Sequence, residues 1–258
     1  MKTYETGQVK SINEISPMIF DMEIECRLNK LAVPGQFVMI YPMDKSTILP
    51  RPISICEVMP DGLRFVYRIA GKGTKEFSTW KKGDKVRLLG PIGNGFPIEA
   101  AYGKSVVLMG GGIGIPPILE LSKALRATDN YEVAAFLGYR DNSLFLKEDF
   151  DNYCEVYVAT EDGSAGIKGN VMDALAVTGY APEVIFACGP MPMLRAIKAY
   201  AKEAGIEAYI SLEERMACGV GACLGCVTNT TKEDAHSHVN NARVCTEGPV
   251  FEAKEVNI

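Results

Sequence analysis

The sequence predicts a multidomain protein of β and α/β parts: an antiparallel β-barrel over residues 1–100, a parallel-sheet α/β domain over 101–211, and a small cysteine-bearing segment over 212–258. Three observations carry that expectation. The first part reads as short strands punctuated by Gly, Pro and Asp; from about residue 103 apolar strands alternate with helical stretches; and four of the eight cysteines fall within 28 residues near the C-terminus. No internal repeat or low-complexity linker marks the boundaries, which rest on the change of rhythm.

In the first part MIFDMEIE, GQFVMIYP, GLRFVYRIA and DKVRLLGP are strand candidates, several with the alternating apolar residues of a half-buried strand. Short strands at this spacing suggest an antiparallel barrel or sandwich. One helical stretch interrupts them, TKEFSTW at 74–80, with Thr74 placed as its cap. In the second part KSVVLM, EVAAFLGY, EVYVAT and EVIFACG alternate with PPILELSKALRA, NVMDALAV and PMLRAIKAYAKEAG. That alternation implies a parallel sheet covered on both faces by helices. A final strand, AYISLE, runs into the cysteine segment.

Composition narrows the function classes. With 258 residues, 47% of them apolar, the chain can bury a sizeable core. A formal net charge of −5 without a long basic run argues against nucleic acid, which needs clustered Lys and Arg. No stretch approaches the ~20 apolar residues of a membrane span, and MKTYETGQVK lacks a signal peptide's apolar core. The expected compartment is the cytoplasm, where a local cysteine cluster reads as a metal site rather than a disulfide framework.

Residues 215–226 read RMACGVGACLGC, a C-x4-C-x2-C run, and Cys245 follows after eighteen residues. Cys218, Cys223, Cys226 and Cys245 thus have the plant-type [2Fe–2S] ligand spacing. Gly219, Gly221 and Gly225 let the backbone wrap tightly, and Ala217 and Ala222 leave room. A zinc knuckle also uses four cysteines but more often pairs them as two short hooks. His236 and His238 read as a polar exposed loop, because four cysteines already complete a ligand set.

Upstream lie two sets of weaker signals. PRPIS places Arg51 where it can neutralise a pyrophosphate, Pro52 and Ile53 in a stiff backbone, and Ser54 with a hydroxyl for a flavin ring. YRIAGKGTKEF follows, with Tyr67, Arg68 and Ile69, then Gly73 for close approach and Thr74 opening a helix. Each piece alone is also an ordinary loop or cap. The strand SVVLM runs into GGGIGIPP, so Gly110, Gly111, Gly112, Ile113 and Gly114 form a strand-to-helix turn able to meet a phosphate. Pro117 stands where a strict G-x-G-x-x-G would have its third glycine. A second junction, FACGPMPML, brings Cys188, Gly189, Pro190 and Met191 to another strand's C-terminal end. By itself Cys188 reads as a buried small residue.

Taken in order, RP-x-S, YR-x-x-G-x-GT, GGGIGIPP and CGPMPML resemble the ferredoxin–NADP reductase superfamily. The segment LEERMACGVGACLGC with VCTEGPVF narrows the resemblance to the iron–sulfur flavoproteins that serve as electron-transfer subunits of type B dihydroorotate dehydrogenases, across nearly the whole chain. The resemblance implies an antiparallel FAD-binding β-barrel, a parallel-sheet α/β nucleotide-binding domain for NAD, and a C-terminal [2Fe–2S] segment. FAD would be held by residues 51–54, 67–69, 73 and 74, and the diffusible NAD would face residues 110–114 and 188–191. It further implies a partner subunit carrying FMN and the dihydroorotate site, in a heterotetramer of two plus two serving pyrimidine biosynthesis. Related NAD(P)H-dependent reductase subunits for ferredoxin or sulfide share these cofactors. Asp141 beside Arg140 would repel a 2′-phosphate, which leans towards NAD. No general acid or base is evident, and hydride exchange between NAD and a flavin requires none.

Overall fold

The computed structural model describes residues 2–128, 132–233 and 238–258; His236 lies outside them. Seven antiparallel strands open the chain: β1 (Thr3–Ser16), β2 (Ile19–Glu25), β3 (Phe37–Tyr41), β4 (Arg51–Ser54), β5 (Glu57–Met59), β6 (Gly62–Arg68) and β7 (Lys85–Ile92). They are hydrogen-bonded in the order β4-β3-β7-β1-β2-β6-β5. The two outermost strands are joined by only Ile55 and Cys56. Ile55 N–H donates to Gln36 O at 3.0 Å on one side, and Cys56 N–H to Arg64 O at 2.9 Å on the other. The sheet therefore closes on itself, which protects its edges from stray pairing.

Side-chain alternation sorts each strand between two environments. On β3, Val38 and Ile40 point into the barrel core with Met22, Ile24 and Phe65, whereas Phe37 and Met39 pack outside against the rest of the molecule. On β6, Leu63, Phe65 and Tyr67 fill the barrel, leaving Arg64, Val66 and Arg68 on its outer face. Val66 there joins a core shared with the second half of the chain.

The interrupting helix differs from the sequence expectation. α1 spans Lys72–Phe77, two residues earlier than 74–80, with Gly71 at its N-cap. Thr74 lies one turn inside, and its Oγ1 accepts from Ala70 N–H at 2.9 Å and Gly71 N–H at 3.2 Å. The hydroxyl reaches backwards to tie down the entry loop, the reciprocal half of a capping box, so a Thr near a helix start misleads about where the start is.

The second sheet holds β8 (Ser105–Gly111), β9 (Glu132–Tyr139), β10 (Glu155–Thr160), β11 (Ile167–Lys168), β12 (Val184–Cys188) and β13 (Glu207–Ser211) in the order β11-β10-β9-β8-β12-β13, all parallel. α2 (Pro116–Arg126) and the short α3 (Lys147–Asp151) cover one face, and α4 (Val171–Thr178) and α5 (Met191–Ala204) the other. β8 shows why both faces need cover: Val106 and Leu108 belong to the α2 side, Val107 and Met109 to the α4 and α5 side, all fully buried. The chain starts at β8, steps out through β9 and β10 to β11, then returns to β12 on the other side. The switch point between β8 and β12 is where ligands of such sheets bind.

The last segment forms the β14 (Val227–Asn229) and β15 (Asn241–Arg243) hairpin. It ends in β16 (Val250–Glu252), which pairs antiparallel with β13 as an added edge strand of the second sheet. Cys226 and Cys245 are buried with Phe37, Met39 and Ile92 of the barrel. An ion-pair network ties barrel to second sheet on another side. Arg64 bonds Asp21 at 2.8 Å, Glu57 at 3.3 Å and Asp149 of α3 at 2.6 Å, while Lys123 of α2 reaches Glu57 at 2.9 Å. Glu120 of α2 accepts from Val58 N–H at 2.7 Å. Among the described residues no helix is long and apolar enough to cross a membrane.

Candidate functional site

Two cavities and one cysteine loop meet along the seam between barrel and second sheet. The first cavity, about 300 Å³, is walled by Arg51, Pro52, Ile53 and Ser54 of β4, by Tyr67 and Arg68 of β6, by Thr74 and by Ile113. Its far wall comes from Ser211, Leu212, Glu213, Met216 and Pro249. Arg51 crosses α1's first turn, where a Cβ on Gly73 would stand 2.7 Å from Arg51 Nε. Its Nη1 donates to Leu49 O at 2.8 Å, which holds the guanidinium beside the first turn of α1, where a helix offers N–H groups without intrahelical partners. A guanidinium beside such N–H groups fits a diphosphate.

Tyr67 supplies a second sign of a missing partner. Its ring packs against Phe77 and Phe20, and its buried Oη has no hydrogen-bond partner among the described residues. Burial alone pushes the phenol pKa up, so Oη remains a hydroxyl. A buried, unpaired hydroxyl costs about 1–3 kcal/mol and is retained where a ligand completes it. The donor set and shape thus fit a flavin nucleotide lying along β4 and β6.

The second cavity, about 480 Å³, opens at the switch point between Gly111 and Gly112 on one side and Pro190, Pro192 and Met193 on the other. Close packing makes glycine obligatory here. A Cβ at Gly111 would meet Met193 Sδ at 2.6 Å, and one at Gly114 would meet Cys188 O at 2.4 Å. Gly112, at φ +54° with open space above it, presents bare backbone to the cavity. Cys188, packed against Gly114, is 1% exposed, and burial pushes its thiol well up, so it serves packing and not as a nucleophile. Arg68 belongs to both cavities.

Of the residues singled out in the sequence, Ile69, Gly73, Gly110, Gly114, Cys188, Gly189 and Met191 line neither of these two cavities. Ile69 N–H is spent on Met18 O at 2.9 Å, and the glycines serve close packing behind the walls. Others escaped sequence reasoning. Glu161, Gly169 and Asn170 close the second cavity at the end of β10. The signal was present: Asn170 Oδ1 accepts from Met172 N–H at 2.8 Å while Asp173 accepts from Asn170 N–H at 2.8 Å, a capping box written as NVMD. Glu213 also went unnoticed. Surrounding protein pushes its carboxyl pKa up, and Arg68 opposes the shift. The residue is nonetheless exposed to water at its surface, so screening leaves that shift small in energy.

The four clustered cysteines stand as two thiol pairs, Cys218 with Cys223 and Cys226 with Cys245. Burial opposes ionisation of Cys218, yet N–H groups of Val220, Cys223 and Ala222 and the Cys223 thiol pull it down to about 6. Burial raises Cys245 to about 12, reinforced by the Cys226 thiol. Among the described residues no set of three His, Cys, Asp or Glu side chains is gathered for a single ion. Backbone N–H groups aimed at sulfur and two flanking thiol pairs fit a cluster of two irons, which needs thiolates and donors to them. Gly219 and Gly221 take φ +67° and +84°, and a Cβ on Gly219 would meet Met39 Cγ at 2.7 Å. The loop thereby lies directly on the barrel. His238 is exposed and pairs with Glu233 at 3.2 Å, apart from the thiols.

Residues 213–257 match the family described as the iron–sulfur cluster binding domain of dihydroorotate dehydrogenase B. Over 252 residues the chain is 41% identical to the dihydroorotate dehydrogenase B (NAD(+)) electron transfer subunit of Lysinibacillus sphaericus (strain C3-41), covering 96% of each. It is 43% identical over 249 residues to the subunit of the same name from Bacillus cereus (strain AH187), covering 94% of each. Among solved structures, it is similar to a chain of an NADH-dependent reduced ferredoxin-NADP oxidoreductase, with TM-score 0.86, 28% identity, and coverage of 97% of this chain and 89% of that one. A ferredoxin NADP+ reductase from Neisseria gonorrhoeae with bound FAD and NADP shares the fold at TM-score 0.68 and 16% identity, over 82% of this chain and 94% of that one.

Proposed function

Because the chain belongs to the family of dihydroorotate dehydrogenase B (NAD(+)) electron transfer subunits, we propose that it carries electrons between a dihydroorotate-oxidising partner subunit and NAD. The observation that carries this reading is the contiguity of the three sites. Arg68 lines both cavities, and Met216 and Pro249, which line the first, lie two residues before Cys218 and four after Cys245. When bound, FAD exchanges a hydride with NAD and single electrons with a [2Fe–2S] cluster, which is why a flavin must stand between the two.

The chain's own residues bind and orient. Arg51 and the first turn of α1 take the flavin's diphosphate, Tyr67 Oη and Ser54 meet its polar edge, and Ile113 and Leu212 keep water from the seam. Gly111, Gly112 and Pro190 admit NAD, and Cys188, packed against Gly114 behind them, stays unreactive. Cys218, Cys223, Cys226 and Cys245 hold the cluster. Residues 1–100, 101–211 and 212–258 are assigned to FAD, NAD and cluster respectively. Arg140 and Glu161 line the second cavity and Asp141 follows Arg140 in the chain; the two carboxylates would oppose a 2′-phosphate, which supports NAD over NADP.

Two results are expected for these walls. Arg51→Ala should lower FAD retention at least tenfold, because a charge-assisted hydrogen bond of about 1.5–3 kcal/mol is lost; FAD content after dialysis reads it. Gly111→Ala should raise the KM for NADH about tenfold or more, because its Cβ would displace Met193 and Pro190, which line the second cavity, with FAD content unchanged. An unaltered KM would remove the second cavity from the NAD path.

The partner is assigned as the FMN-containing catalytic subunit, two copies of each forming the assembly, in the cytoplasm and in pyrimidine synthesis. Cys223 is exposed, and Leu224 and Val220 beside it are 63% and 44% exposed, so the thiol loop offers an apolar edge for docking. Leu224 holds the left-handed φ of +55°, which turns it outward. The test is co-expression with a dihydroorotate dehydrogenase catalytic subunit, scored for a stable complex and for dihydroorotate-dependent reduction of NAD⁺. Failure of both would favour a second reading, a reductase subunit serving ferredoxin, which the 0.86 TM-score neighbour supports.

A further inference from the structure

We propose that Arg243 is a positioning residue for the cluster, acting through both loops that carry its ligands. The proposal rests on the reading of the four cysteines as cluster ligands. Arg243 closes β15, two residues before Cys245. Its Nε and Nη2 donate to the two carboxylate oxygens of Glu247 at 3.0 and 2.5 Å, and its own N–H donates to Glu247 Oε2 at 2.6 Å. Its carbonyl accepts from Thr246 N–H at 3.0 Å and Glu247 N–H at 2.8 Å. The turn that carries Cys245 therefore closes on Arg243 through side chain and backbone together.

The same guanidinium reaches the other loop. Nη1 donates to Gly221 O at 3.4 Å, midway between Cys218 and Cys223. The next residue, Val244, donates its N–H to Cys226 O at 2.9 Å. On its far side the clamp is anchored to the barrel: Asn94, just past β7, donates from its side chain to Glu247 O at 2.9 Å and from its N–H to Gly248 O at 2.6 Å. Arg243 thus bridges the three-ligand loop and the one-ligand loop, and the turn it closes is fixed to the barrel through Asn94. A planar fork does this where a lysine ammonium cannot.

The pair is neutral as a unit, so its two halves have opposite electrostatic effects on a neighbouring redox centre. Removing the guanidinium leaves a lone carboxylate beside the thiolates and disfavours the added electron. Removing the carboxylate takes a negative charge away from the thiolates and favours it. The test uses the anaerobically purified holoprotein held at the wild-type cluster's midpoint potential, with the ratio of reduced to oxidised cluster read by electron paramagnetic resonance. R243Q should lower that ratio about tenfold, equivalent to about 59 mV for a one-electron couple, and E247Q should raise it. R243K keeps the charge but not the fork, so its ratio should stay near wild type while a chelator strips its iron several-fold faster. A purely structural role would move R243Q and E247Q in the same direction, and that outcome, or no change in either, overturns the proposal. A wild-type protein without a cluster would overturn the cluster reading and this proposal with it; a loaded wild type with unresponsive variants overturns this proposal alone.

Discussion

Cys223→Ser is expected to abolish cluster binding and to cut electron delivery to the partner subunit at least 100-fold, roughly beyond the 10–100-fold cost of losing a mere outer-shell partner of a metal ligand. The reason is chemical. A serine hydroxyl does not ionise near neutral pH, so one of the four anionic ligands disappears while the other three stay. Cys223 is the exposed member of the four, so the substitution leaves the buried Cys226 and Cys245 and the barrel residues against them in place. Visible absorbance and iron content should fall together. Reduction of FAD by NADH should continue, because both cavities are built from other residues. A folded, FAD-loaded variant that NADH no longer reduces would contradict the order NAD, FAD, cluster.

Arg64→Met is expected to lower stability by about 3 kcal/mol, the low end of the 3–5 kcal/mol for breaking a buried ion pair. The low end applies because the Arg64 side chain retains 15% exposure. Three carboxylates, Asp21, Glu57 and Asp149, lose their shared cation, and among the described residues only Lys123 remains to offset Glu57. For a chain of this size that corresponds to a fall of roughly 6–12 °C in melting temperature. Because Asp149 belongs to α3 and Asp21 to β2, the loss also loosens the seam on which both cavities depend. A thermal melt within a degree of wild type would show that the network holds nothing together.

Legibility in the sequence followed the range of the interactions concerned. The paired periodicities, two residues in strands and three to four in helices, are written in contiguous residues. EVAAFLGY at 132–139 accordingly coincides with β9 and EVYVAT with β10. The C-x4-C-x2-C run is equally local, although the thiols stand as two pairs, Cys218 with Cys223 and Cys226 with Cys245, and not, among the described residues, as one gathered set. The helix near Thr74 was displaced because a hydroxyl can serve either end of a capping box, and only the backbone geometry shows which. Asn170 was legible and passed over. Glu213 was not: an acidic residue after a strand has no local mark distinguishing a cavity wall from an exposed turn.

The remainder was set by contacts between distant residues. Arg64 and Asp149 are 85 positions apart, and Asn94 and Glu247 are 153 apart. Nothing near either partner announces the other. The pairing of β16 with β13 likewise draws the cysteine segment onto the second sheet, although composition presents that segment as a separate piece. Ligand type and element type depend on chemistry carried by neighbours in the chain. The place where barrel, sheet and thiol loop meet depends on which outward faces are left to bury after each has formed. On β6 that is a matter of register: Leu63, Phe65 and Tyr67 fill the barrel, and Arg64, Val66 and Arg68 are left to make the seam.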